Sequence, residues 1–144
     1  MVSRENYKNT GAYLRQLSDA LVVNLHARLA EQGYGEITPS HGLIFQYIED
    51  DGSRITDLAH RAGMTKQSMS ALVYQLEEGG YLKRKADPTD ARAVLFVLTA
   101  KGFALRTRGR QHNFEFEKKW EQVLGPAQYK KFRIMLKQLA ASTG

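Results

Sequence analysis

Residues 55–98 read ITDLAHRAG, MTKQSMSALVYQLEEGG and YLKRKADPTDARAVLFVL, and the order of patterns within them decides the fold. Ile55, Leu58, Ala59 and Ala62 follow the i, i+3, i+4, i+7 spacing of a helix packed by one face, and Gly63 closes it after about two turns. Thr65 then caps a second helix whose inward face is Met69, Leu72, Val73 and Leu76. Gly79-Gly80 supply the left-handed stop that glycine adopts at least cost. Two short helices joined by a tight glycine turn form a helix-turn-helix. Beyond the glycines the period changes: residues 81–86 and 93–98 predict two strands around the polar turn Asp87-Pro88-Thr89-Asp90-Ala91-Arg92, a β-hairpin.

Upstream, Leu14, Leu17, Leu21, Val22, Leu25 and Leu29 recur at helical spacing over residues 10–32, ended by Gly33 and Gly35. Thr38 before Pro39 is an N-cap followed by proline at the first helical position. Leu43, Ile44, Tyr47 and Ile48 give that helix one apolar face until Asp50-Asp51-Gly52. Downstream, Thr99 caps a long helix from Ala100 towards Leu124, and Gly125-Pro126 separate a last helix carrying Tyr129, Phe132, Met135, Leu136 and Leu139. The expected fold is mainly α with a small β-hairpin.

At 144 residues, 42% hydrophobic and 10% aromatic, the chain has material for one compact domain with a real core. Its net charge of +6 favours a polyanionic partner. All of that excess lies in residues 53–110, which hold 11 Lys and Arg against 5 Asp and Glu, while the rest of the chain balances. The chain has no cysteine, so disulfides, thiolate catalysis, Cys-ligated zinc and a cysteine oxidation sensor are excluded. Met1-Val2-Ser3-Arg4-Glu5-Asn6 lead into no apolar run of signal-peptide or membrane-spanning length, since Asp19, Asn24, His26 and Arg28 interrupt every one; a cytoplasmic protein is expected, with no membrane partner.

With its apolar side turned inward, the second helix of the motif presents Thr65, Lys66, Gln67, Ser68, Ser70 and Ala71, with Tyr74 one turn on. Glutamine pairs with adenine edges, lysine with guanine, serine and threonine with bases or phosphates, and alanine leaves room for a thymine methyl. No acidic residue falls between Met64 and Gln75. A polar outward face is also what any solvated helix shows, so the hairpin carries part of the argument. Lys83, Arg84 and Lys85 precede its turn and Arg92 follows, and an arginine at a hairpin tip can enter a minor groove. Asp90 is expected to hold the Arg92 guanidinium in one rotamer by a charge-assisted hydrogen bond. The alternative for this tip is a surface turn with an incidental ion pair.

The run Leu72-Val73-Tyr74-Gln75-Leu76-Glu77-Glu78-Gly79-Gly80-Tyr81-Leu82-Lys83-Arg84, then Asp87-Pro88-Thr89-Asp90-Ala91-Arg92, then Leu98-Thr99-Ala100-Lys101-Gly102, resembles the multiple-antibiotic-resistance regulator (MarR) family. The resemblance implies one domain over residues 1–144: a winged helix-turn-helix core at about 37–98, with N- and C-terminal dimerisation helices at about 10–32 and 99–142. It implies a homodimer on pseudo-palindromic double-stranded DNA, usually a repressor relieved by a small ligand. The helix from Thr65 to about Glu78 becomes the recognition helix, and Arg92, supported by Asp90, the minor-groove residue of the wing. Independently, the first and last two helices carry longer apolar stripes than a small winged module can cover. Phe114, Phe116, Trp120, Tyr129, Phe132, Leu136 and Leu139 are therefore expected at an interface or shared core, with a monomeric helical core as the alternative. The two recognition helices would enter successive major grooves about 34 Å apart.

No cofactor is expected. The four histidines, His26, His41, His60 and His112, are scattered and form no HxxxH pair, so no metal site is expected. The resemblance points to an aromatic or anionic effector in a pocket between dimer helices and winged module. Arg15, Tyr34, His41 and Phe45 are candidate contacts, combining a cation or donor with aromatic surface. The chain is not expected to be an enzyme: the rival, a metal-dependent nuclease using Asp87 and Asp90, lacks the convergent ligands that a catalytic metal needs. A non-specific architectural DNA-binding protein is the remaining alternative.

Overall fold

The computed structural model describes residues 8–143. Six helices and one hairpin follow in the order α1 (Thr10–Glu31), α2 (Pro39–Tyr47), α3 (Ile55–Ala62), α4 (Lys66–Glu78), β1 (Leu82–Asp87), β2 (Asp90–Leu98), α5 (Ala100–Leu124) and α6 (Pro126–Thr143). The expected mainly α fold with a hairpin is the one observed. Readings that rest on residues 1–6 lie outside the described residues. The chain divides into two compact units: Leu25–Gly109, and the residues up to Asn24 together with those from Arg110 onward.

The unit Leu25–Gly109 is the winged helix-turn-helix. Its core gathers Leu29, Ile44, Leu58, Met69, Val73, Leu76, Tyr81, Leu82 and Phe96 from every element between α1 and β2. Caps that can be read locally set the helix ends. Pro39 opens α2, and Thr38 Oγ1 accepts the backbone N–H of His41. Gly63 stops α3 at φ 64°. Thr65 Oγ1 accepts the N–H of Ser68 at 3.1 Å to start α4.

The hairpin is antiparallel, pairing Leu82 with Leu98, Arg84 with Phe96 and Ala86 with Val94. Phe96 also exchanges both backbone hydrogen bonds with Ser53, so the chain just before α3 lies beside β2. The turn is tighter than the sequence predicts. Strand β2 starts at Asp90 rather than residue 93, leaving only Pro88 and Thr89 between strands, because the register shifts after Ala86 and pairs Asp87 with Asp90.

Where α4, β1 and α5 meet, chemistry explains a motif. Thr99 Oγ1 donates to the Gly80 carbonyl at 2.6 Å and accepts the Gly102 N–H at 3.1 Å, and its own N–H bonds the Tyr81 carbonyl. A Cβ on Gly102 would lie 2.3 Å from that same Tyr81 oxygen. Only glycine lets the start of α5 approach the chain this closely.

The second unit is helical. Tyr129 is buried on α6 and donates its hydroxyl to Glu117 of α5 at 2.7 Å. Burial first, and that bond second, push the hydroxyl pKa up to about 12. Phe116 and Trp120 meet edge to face with ring centroids 5.4 Å apart. Among the described residues no helix is long and apolar enough to cross a membrane.

Candidate nucleic-acid interface

The first turns of α4 show the face expected from the sequence. Met69, Val73 and Leu76 are buried, Leu72 is half-buried, and Thr65, Lys66, Gln67, Ser68 and Ala71 are exposed, with Ser70 half-buried. Thr65 and Ser68 bond each other at the cap, leaving Lys66 and Gln67 without a side-chain partner among the described residues. Tyr74, 47% exposed, stands on the same helix one turn further on.

The wing's cations divide into two sets. Lys83, Lys85 and Arg92 are exposed and have no ion-pair partner among the described residues. Arg84 is engaged: its Nε and Nη2 donate to the two carboxylate oxygens of Glu77 at 2.8 and 3.2 Å. Its guanidinium also lies 5.5 Å from the ring centroids of both Tyr74 and Phe96.

The acids at the tip do not act as the sequence predicts. Sequence adjacency predicts that Asp90 grips the Arg92 guanidinium, but its Oδ1 accepts the Arg92 backbone N–H at 2.9 Å. This is a local turn in which the short aspartate side chain reaches the amide two residues on, and the guanidinium has no ion-pair partner among the described residues. The other Asp90 oxygen lies 3.9 Å from Arg54 Nη2. Asp87 is buried and accepts from Arg54 Nη2 at 2.6 Å and Nε at 2.9 Å, and from the hydroxyl and amide of Thr89 at 2.7 and 2.9 Å. The Thr89 bonds, then the Arg54 guanidinium, pull its pKa down to about 2. Both carboxylates are thus spent on fixing the turn. Among the described residues no group of three or more His, Asp or Glu side chains converges as a metal site would require.

The MarR family profile matches residues 36–93, which run from just before α2 through the wing tip. A transcriptional regulator from Thermotoga maritima is 30% identical, with 90% of each chain covered and a TM-score of 0.64. The chain belongs to the MarR family of transcriptional regulators. NadR, solved in complex with 4-hydroxyphenylacetate, is 25% identical over 97% of this chain and 98% of its own, at a TM-score of 0.73. The MepR–DNA complex of S. aureus, 21% identical over 94% and 99%, has the same fold at a TM-score of 0.72. None of the curated proteins compared matches the chain.

The candidate effector residues of this MarR-family chain sit in different settings. Arg15 is exposed on α1, in the unit of the terminal helices; Tyr34, half-buried, His41 and Phe45 belong to the winged unit. His41 and Phe45 are buried. The N–H of Thr38, a donor only, points at His41 Nδ1 at 3.0 Å, so that nitrogen is unprotonated and Nε2 carries the proton, donated to Gln75 Oε1 of α4 at 2.8 Å. Phe45 packs edge to face on Tyr81, ring centroids 6.2 Å apart. Tyr81 in turn donates to Glu36 at 2.5 Å, and Lys101 stands over its ring while capping the Gly79 carbonyl at 2.7 Å.

Glu77, Arg54 and Lys101 are the working residues that sequence reasoning missed. Glu77 and Arg84 flank a Gly-Gly reversal with opposite charges, a readable signal. Arg54 and Asp87 lie 33 residues apart, and no local pattern joins them.

Proposed function

We propose that this MarR-family regulator is a sequence-specific DNA-binding repressor. It acts in the cytoplasm, non-enzymatically, as a homodimer on a pseudo-palindromic operator. The observation that carries this reading is the pairing of an exposed, acid-free face of α4, Thr65 to Ala71, with a wing whose Lys83, Lys85 and Arg92 have no ion-pair partner among the described residues. Thr65, Lys66, Gln67, Ser68, Ser70, Ala71 and Tyr74 are the major-groove face. Lys85 and Arg92 meet backbone and minor groove, with Asp90 setting the course of the chain at Arg92, whereas Arg84, expected beside them as a DNA contact, is engaged by Glu77. The relative MepR, solved on DNA, supports the same use of the fold.

The dimer reading rests on apolar residues that α1, α5 and α6 leave exposed, among them Val23, Phe114, Val123, Ile134 and Leu139. In this reading residues 1–144 act as one module, with a DNA-binding core at 37–98 and dimerisation helices at 10–32 and 99–142. A small aromatic or anionic effector, the class of NadR's 4-hydroxyphenylacetate, relieves repression. Arg15, Tyr34, His41 and Phe45 are its candidate contacts, and His41 would carry occupancy to α4 through Gln75. The effector acts only through unequal affinity for DNA-competent and DNA-incompetent states, so DNA and effector weaken each other reciprocally.

Selection of bound duplexes from a random pool at near-physiological salt tests this reading. An enriched palindrome with half-sites one helical turn apart is expected; salt-sensitive binding with no enrichment would leave a non-specific binder.

A further inference from the structure

Glu77 is out of place on electrostatic grounds. It lies on the recognition helix of a chain whose proposed partner is a polyanion, and an isolated carboxylate there opposes phosphate. Its oxygens are not free, however. The planar fork of Arg84 takes both of them, the two-point geometry that makes arginine–carboxylate pairs directional. The same guanidinium lies against Tyr74 of α4 and Phe96 of β2, whose rings are 6.4 Å apart. Phe96 is opposite Arg84 in the strand ladder and is tied through its backbone to Ser53. One carboxylate, one guanidinium and two rings therefore join α4, β1 and β2. Among the described residues the Glu77–Arg84 pair is the only side-chain hydrogen bond between α4 and the wing.

We propose that Glu77 and Arg84 are positioning residues that fix the angle of the wing against the recognition helix and the ring plane of Tyr74. Arg84 then acts through Glu77 and not as a phosphate contact. The inference rests on the DNA-binding reading above. Its physical basis is preorganisation: a two-stranded hairpin is marginally stable alone, and holding it in the bound pose before DNA arrives removes part of the ordering cost.

The two roles for Arg84 predict opposite signs for Glu77→Ala. If Arg84 is a phosphate contact restrained by Glu77, removing the acid frees a cation and strengthens DNA binding. If the pair positions the wing, removing the acid weakens it. Duplex titrations at several salt concentrations on the 144-residue chain decide. Glu77→Ala and Arg84→Gln are each expected to lose about tenfold in affinity. The slope of log affinity against log salt should stay at the wild-type value, the double variant should be no weaker than either single, and the exchanged pair E77R/R84E should return to within about threefold of wild type.

Stronger binding by Glu77→Ala, or an Arg84→Gln slope shallower by about 0.9, would overturn the proposal. Amide hydrogen exchange reads the clamp with no DNA present. Faster exchange of the β1–β2 ladder in both single variants, with α2 unchanged, is expected, and an unchanged ladder overturns the clamp. A wild type that binds no duplex while its variants loosen the ladder would sink the DNA-binding reading and leave the clamp standing.

Discussion

The winged unit and the terminal helices are built from similar residues and use them in opposite ways. In Leu25–Gly109 the apolar side chains close on one another, and the buried polar residues His41, Ser53 and Asp87 all have hydrogen-bond partners. In the other unit Val123 is 81% exposed, Val23 69%, Phe114 62% and Leu139 60%. Asn113 Oδ1, on α5, is buried with no partner, the one such side-chain atom among the described residues. Apolar content is therefore no guide to where a core has closed. The winged unit is finished by its own chain, whereas the terminal helices present apolar area of the kind that monomers seldom expose, which is the basis of the proposed dimer.

The largest test of that contrast is Gly102→Ala. A methyl group 2.3 Å from the Tyr81 oxygen forces α5 off the chain between α4 and β1, and urea unfolding should show a loss of about 3 kcal/mol or more. The terminal helices should answer differently. Ile134→Glu with Leu139→Glu should leave helical content intact and weaken self-association in sedimentation equilibrium by about 30-fold, roughly 2 kcal/mol. If the double variant self-associates as wild type does, the exposed stripe is not the interface.

On the proposed DNA face, Arg92→Ala should cost about tenfold in affinity and flatten the salt dependence by about 0.9, because among the described residues its guanidinium has no ion-pair partner to lose. Unchanged affinity and slope would remove the wing tip from recognition. Asp87 sharpens the contrast at low pH. Its pKa is held at about 2, below the usual 3.8, so its stabilisation is complete above the usual value and is lost as the pH falls towards about 2. Asp87→Asn should therefore lower stability near neutral pH and flatten acid unfolding across that window, as followed by circular dichroism. The smallest effect is expected from Val123→Ser, within about 0.5 kcal/mol on unfolding of the monomer, since the side chain is already in water.

Legibility followed the distance over which each feature is decided. The ends of α2, α3 and α4 were readable because a cap involves residues three or four apart: Thr38 with His41, Gly63 with Ala59, Thr65 with Ser68. The outward residues of α4 were readable because helical periodicity alone sorts its faces. The sequence predicts too wide a wing turn, since polar residues 87–92 look alike in it, and the register is set by Asp87 closing on Arg54 and Thr89. Asp90 was rightly placed beside Arg92 and wrongly assigned to its guanidinium, because sequence adjacency does not distinguish an amide from a side chain two residues on.

The order of helices and hairpin, the polarity of α4 and the segment that holds the excess charge are local properties of the chain. Each follows from periodicity, capping and composition, which act within a few residues. Tertiary structure alone decided which of those charges are free. Lys83, Lys85 and Arg92 remain exposed with no ion-pair partner among the described residues, whereas Arg84 is taken by Glu77 and Arg54 by Asp87. It alone buried His41 against Gln75, 34 residues away. An ion pair or a buried hydrogen bond needs two groups within about 3 Å, and packing of the core, not spacing along the chain, sets that distance.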